Sequence, residues 1–200
     1  MKPQLHRKMM LEFYGFYEDT PGTSCKRSLS HGSMGGEGRS PMSKAPSTQA
    51  TRLLKQAALA YTEHLYRYED HGGTAVSAQA LGVEEHSVVK TLVMEDDRGA
   101  PLVILMHGDQ EVSTRELARQ IGVRSVRTCD PATAQRHSGY LVGGTSPFGT
   151  KKPLPTYAEA TIFDLDRIYI NGGSRGFLVG LNPAGLDEIL KVQRVSVAIP

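Results

Sequence analysis

The chain has 200 residues, 39% hydrophobic and 22% charged, which suits one soluble domain with a sizeable core. No apolar run approaches the roughly 18–20 residues that span a bilayer, and the N-terminus lacks the continuous apolar stretch of a secretory leader, so membrane and secreted classes are set aside. Residues 1–46 carry 7 Lys and Arg against 4 Asp and Glu, but residues 47–200 carry 16 against 17, so the body lacks the basic excess of a protein that grips DNA or RNA unaided.

Residues 1–46 have no sustained periodicity, and the Gly, Ser and Pro between Ser28 and Ser47 read as a disordered or non-native N-terminal extension. The aromatic stretch Leu11 to Tyr17 is a candidate docking segment within it, and Met42 an alternative start. A folded domain is expected over 47–200. From Thr48 the pattern turns helical, with Leu53, Leu54, Ala57 and Ala58 at helix spacing. A strand is expected over 61–68 and a short helix over 75–81, ended by Gly82. Strands are expected over 88–94 and 102–106, joined by the turn-rich Asp96 to Pro101. Ser113 and Glu116 form an S-x-x-E capping box that opens a helix to Ile121, with Gly122 beyond it. A short strand follows at 123–127, then a helix capped by Asp130 with Pro131 in its first position. Further strands are expected at 159–164, 167–170, 177–181 and 194–199, with a last helix at 183–191 behind Asn182-Pro183. This order lacks a regular βαβ rhythm. It predicts a single compact α+β domain, with a mixed, mostly antiparallel sheet and flanking helices.

Two glycine-rich runs stand out, Gly139 to Gly149 and Asn171 to Gly176. Glycine at this density marks places where the main chain turns sharply or a ligand approaches it closely. Neither run matches a P-loop or a G-x-G-x-x-G fingerprint. They serve turn geometry or present amides to a carbonyl and its developing oxyanion. Lys90 is the sharpest single residue, because alternation along 88–94 puts it on the same face as Val88, Leu92 and Met94. An ammonium there is paired, snorkels, or faces a ligand cavity; otherwise it guards an edge strand. The histidines show no metal-ligand spacing, Ser146 has no G-x-S-x-G context, and no cofactor is expected. Cys129 precedes a helix start, where a thiol is either activated or simply packed. With Cys25 it makes no disulfide framework, which fits a reducing cytoplasm. Lys151-Lys152 is a small cationic pair, either solvated or facing a phosphate.

Together, Ala134-Gln135-Arg136, Gly139 to Gly144, Ser146-Pro147, Gly149 and Lys151-Lys152 resemble the YbaK/EbsC family of bacterial aminoacyl-tRNA deacylases, relatives of the prolyl-tRNA synthetase editing domain. Val89 to Leu92 and Gly172 to Gly176 support the match, which runs from about Thr51 to the C-terminus. The resemblance implies a trans-editing enzyme that hydrolyses Cys-tRNA(Pro), with prolyl-tRNA synthetase as partner. It places catalysis on Lys90, Gly143 and Gly144, and substrate binding on Tyr68, Thr91, Tyr140, Ser146, Asn171, Gly172, Gly173 and Arg175. The cysteine-specific branch needs no protein nucleophile, since the substrate thiol attacks its own ester and leaves as a thiolactone. Tyr66, Asn171 and Leu178 stand where that branch often has His, Ser and Asp. These departures keep open a deacylase for another small amino acid. A non-catalytic module for an amino acid or nucleotide is the alternative of a different class.

Overall fold

The structure is a computed structural model and describes residues 44–199. The expected N-terminal extension and the aromatic stretch within it lie almost wholly outside the described residues. Among the described residues, ten strands and five α-helices follow in the order α1 (Gln49–Gln56), β1 (Thr62–Leu65), α2 (Gly73–Leu81), β2 (Val88–Asp96), β3 (Pro101–His107), β4 (Glu111–Val112), α3 (Thr114–Ile121), β5 (Val126–Thr128), α4 (Pro131–Ser138), β6 (Thr156–Glu159), β7 (Ile168–Ser174), β8 (Phe177–Leu181), α5 (Ala184–Leu190), β9 (Gln193–Val195) and β10 (Ala198–Ile199). Among the described residues, no helix is long and apolar enough to cross a membrane.

The helix boundaries follow local chemistry. Thr48 and Thr51 cap α1 reciprocally. Asp130 accepts the Thr133 amide at 2.9 Å to open α4, and α2, α3 and α4 each stop at a glycine with positive φ. The box expected at Ser113 is half formed. Its hydroxyl accepts the Glu116 amide, but the Glu116 carboxylate turns to Arg119 and Gln120.

The main sheet runs β1-β8-β7-β2-β3-β6-β9, with β5 also on β2; β10 pairs with β4 in a small second sheet. Four pairs in the main sheet are antiparallel and three parallel, so the sheet is mixed. On one face, Val89, Val103, Leu105, Ile170, Phe177 and Val179 pack with α1, α5 and Phe148. On the other, Leu92, Met94, Ile104 and Met106 pack against Leu117 and Ala118 of α3, while Val88 and Leu178 pack against Ala78 of α2. That face therefore carries two separate apolar clusters.

β2 is an interior strand, which corrects the edge-strand reading of Lys90. One edge of β2 pairs with β3 throughout. Its other edge changes partner, from β7 at Val88–Val89 to β5 at Met94–Asp96. Lys90 lies in the interval between these partners.

Several strand expectations need correction. β1 stops at Leu65, and β5 begins only at Val126. The expected strand at 159–164 is instead the end of β6 followed by a 3₁₀ turn at Ala160–Asp164. The buried Glu159 carboxylate causes this by accepting the Ala160 amide at 3.1 Å. It also takes the Val197 and Ala198 amides at 2.7 and 2.8 Å. These bonds divide the expected 194–199 strand into β9 and β10. The two-residue β4 was not anticipated.

Candidate functional site

Lys90 is half-buried, with Met106 as its cross-strand neighbour. It occupies the gap between the α2-side and α3-side apolar clusters. Its Nζ donates to the Gly108 carbonyl at 3.1 Å. Burial pulls the ammonium pKa below its ordinary value, and Glu111, Glu85 and Asp109 partly offset that. The same carbonyl accepts the Thr74 hydroxyl at 3.2 Å, and that hydroxyl also lies 2.6 Å from Glu85. Gly108 has no room for a side chain. A Cβ there would sit 2.7 Å from the Glu85 carbonyl and 2.8 Å from Thr74 Cβ. The anchor of Lys90 is therefore assembled from α2, the turn before β2 and the β3–β4 turn.

Strand register sets what lies beside the lysine. β7 runs parallel to β2 through Val89↔Ile170, so the next residues along are Lys90 and Asn171. Asn171 pairs in turn with Leu178 on β8. Lys90, Asn171 and Leu178 thus form a row across three strands. Leu178 is buried with Val88 and Ala78, with Tyr66 packed at the border.

The first glycine loop closes over this end of the sheet. Asn171 Nδ2 donates to the Gly143 carbonyl at 3.0 Å, and Arg175 Nε donates to that of Val142 at 2.9 Å. Asn171 Oδ1 meanwhile accepts the Gly173 and Ser174 amides, holding the irregular β7–β8 hairpin. Gly143 has φ +84°, and a Cβ on it would lie 2.6 Å from the Tyr68 hydroxyl. A Cβ on Gly144 would press the Arg175 and Ser174 backbone at 3.0–3.2 Å. These glycines let two backbones and a phenol ring meet. Arg175 also lies over the Tyr68 ring, 5.1 Å from its centroid, and 3.9 Å from Asp70.

The structure therefore brings Lys90, Asn171, Gly143, Gly144, Tyr68 and Arg175 to one end of the sheet. The other expected site residues are engaged differently. Tyr140 is buried and donates to the Phe148 carbonyl at 2.6 Å, its pKa pushed up to about 12 chiefly by burial. Ser146 is fully buried and accepts the Phe148 amide. Both hold the loop's own shape. Gly172 and Gly173 serve close packing: a Cβ would lie 2.5 Å from the Phe177 ring on the first and 2.9 Å from Tyr140 on the second. Alternation turns Thr91 away from Lys90, and among the described residues its buried hydroxyl has no hydrogen-bond partner. The Gly144 amide closes a turn on the Leu141 carbonyl at 2.9 Å. This corrects its expected part as a free donor; among the described residues the Gly143 amide has no such acceptor.

Sequence reading missed Gly108, Thr74 and Glu85. Only the tight His107-Gly108-Asp109 turn hinted at them. Cys129 is resolved as a packing residue, with burial, Glu95 and Asp130 pushing its thiol up to about 11. No activated thiolate is available there. What the geometry offers is a half-buried cation beside a backbone loop, in a split between strands, which suits an ester substrate held and polarised rather than attacked by a side chain.

The comparisons agree on the class. The aminoacyl-tRNA editing domain family is matched over residues 70–189. EbsC of Enterococcus faecalis, assigned as a Cys-tRNA(Pro)/Cys-tRNA(Cys) deacylase, is 31% identical over 147 residues, covering 73% of this chain and 90% of that protein. The proline–tRNA ligase of Thermodesulfovibrio yellowstonii is 34% identical over 95 residues, where the match spans only 16% of the ligase. A solved structure described as a trans-editing enzyme for prolyl-tRNA synthetase superposes with a TM-score of 0.67 at 23% identity, over 78% of this chain and all of that one. The fold is thus that of an editing domain. The chain belongs to the aminoacyl-tRNA editing domain family, in its YbaK/EbsC-like branch.

Proposed function

We propose that this protein deacylates mischarged tRNA(Pro) in trans, with cysteine as the principal amino acid removed. The observation that carries the reading is Lys90, an anchored and half-buried cation in the β2 split. Beside it, the Gly143 loop is tied down through Asn171. Lys90 holds the aminoacyl-adenosine end, and the Gly143 amide faces the ester oxygen as charge develops on it. The substrate thiol gives up its proton as its sulfur attacks its own carbonyl, the ester C–O bond breaks, and the ribose oxygen leaves as a hydroxyl, taking up a proton in exchange. A four-membered thiolactone is released, which water later opens. Confinement of thiol and ester supplies much of the acceleration. Because the body is near neutral in net charge, prolyl-tRNA synthetase supplies part of the tRNA affinity.

A second reading, removal of another small amino acid, is favoured by one observation: Leu178, buried in the Lys90 row, makes that wall apolar. The test is deacylation of Cys-tRNA(Pro) and Ala-tRNA(Pro) side by side, by the wild type and by Lys90→Ala, with thiolactone trapped as product. Cysteine loss with thiolactone, by the wild type alone, is the expected result. Alanine loss at an equal rate selects the second reading. No loss of either, with synthetase present, rejects cysteine and alanine as the amino acids removed and favours another aminoacyl-tRNA or the non-catalytic module.

A further inference from the structure

The site closes on the ester, but a tRNA is far larger, and its strand has to leave across some surface. Two depressions with cationic walls flank the sheet. One, between α3 and β5, is lined by Arg115, Arg119 and Arg124. It holds its own carboxylate, since Glu116 pairs with Arg119. Its helix packs on the sheet face that carries Lys90, opposite the one that α4 covers.

The other, of about 590 Å³, lies between the start of α1 and the end of α4 and is lined by Gln49, Gln135, Arg136 and Lys151. No carboxylate lines it, and neither Arg136 nor Lys151 forms an ion pair among the described residues. Asp130, at the far end of α4, accepts the Thr133 amide, and Arg136, which donates to the Thr133 hydroxyl at 3.2 Å, also acts on it through its charge.

This depression is continuous with the glycine loop. Gly139 begins that loop and lines the depression. The Lys151 amide at the loop's exit donates to the Ser138 carbonyl at 2.9 Å, which fixes Lys151 against the end of α4. A Cβ on Gly149 would touch the Gln49 backbone at 2.9 Å, so α1 also abuts the loop. The stem of the Gly143 loop therefore presents two cations, and two amide side chains able to bond phosphate oxygens, on one surface.

We infer that this α1–α4 depression is a phosphodiester-binding site that receives the RNA backbone of the aminoacyl-tRNA after its 3′ end has entered the Gly143 loop. The inference rests on the reading of the substrate as an aminoacyl-tRNA. Cations on a surface near neutral in net charge give RNA a directed grip, and the contact is salt-dependent.

The experiment measures binding of uncharged tRNA(Pro) to the full chain across a salt series. It compares the wild type, Arg136→Glu/Lys151→Glu, and Arg115→Glu in the other depression. The double variant is expected to bind at least about tenfold more weakly, with a log Kd against log salt slope shallower by about 1–2, as for loss of one or two phosphate contacts. Arg115→Glu is expected to match the wild type. If the glutamate pair does not fold, Arg136→Gln/Lys151→Gln carries the same test by charge removal alone. Unchanged affinity and slope in the double variant would overturn the site while leaving the deacylase reading intact. Equal weakening by Arg115→Glu would overturn it too, as the grip would be diffuse. A wild type that does not bind tRNA even with prolyl-tRNA synthetase present would overturn the site and remove the support for the substrate.

Discussion

At the scale of single residues, the proposed function turns on how one lysine is kept in a place that disfavours it. Lys90 is held by the Gly108 carbonyl, and Gly108 can approach only because it has no side chain. Removing the ammonium in Lys90→Ala is expected to lower kcat/KM by about 100-fold or more, the size seen when a group that stabilises the transition state is lost. Gly108→Ala is expected to reproduce part of that loss, because the new Cβ would press on the Glu85 carbonyl and the Thr74 Cβ that frame the anchor. Single-turnover deacylation by the three proteins checks both. Burial lowers the Lys90 pKa, so the alkaline limb of the kcat/KM profile is expected below the pH at which an ordinary lysine titrates, with activity falling as the cation is lost. A profile flat through the alkaline range would remove the charge from the mechanism.

At the scale of elements, the β7–β8 hairpin and α1 act as one support for the glycine loop. Thr48 caps α1 and also donates its hydroxyl to the Gly172 carbonyl. Thr48→Ala is expected to cost about 1 kcal/mol for the cap alone, and more once Gly172 loses its donor. Gly172→Ala would drive Cβ to 2.5 Å from the fully buried Phe177 ring and is expected to cost about 1–3 kcal/mol by overpacking. Denaturant unfolding of both variants measures these losses. Much of this level was legible in the sequence. The cap at Asp130 and the glycine stops at Gly82 and Gly122 act within four residues of themselves. The strand limits near Glu159 were not legible, because its carboxylate acts on amides 38 and 39 residues away.

At the scale of the whole molecule, acid sensitivity is expected from His107. It is fully buried between β2 and the 160–164 turn, bonded to the His86 carbonyl at 2.7 Å and Thr161 at 2.9 Å. Its ring also stacks on His86, with centroids 3.7 Å apart. Burial dominates its pKa and lowers it below 6.5, with His86 lowering it further; the His86 carbonyl bond, Asp109 and Glu159 act in opposition. The unfolded chain therefore takes up the proton first. Stability present above about pH 6.5 is lost as pH falls toward the folded-state value. Urea unfolding between pH 5 and 8 is expected to show that decline, and His107→Gln to flatten it; an equal slope in the variant would assign the decline to other groups.

The sequence by itself determined the α+β class, the helices and their stops, the glycine-rich runs, and the anomaly of a lysine on an apolar face. Each of these is written in spacing along the chain or in a motif. Only the tertiary structure decided that Lys90 sits in an interior strand whose neighbour changes beside it, that Gly108 is its anchor, and that Thr91 turns away while Ser146 and Tyr140 are enclosed by their own loop. It also decided that the Gly144 amide closes a turn while that of Gly143 has no acceptor among the described residues. The physical reason is range. Helix caps and side-chain alternation depend on residues a few positions apart, whereas strand partners, burial and the acceptor each donor meets depend on which distant segments share the sheet.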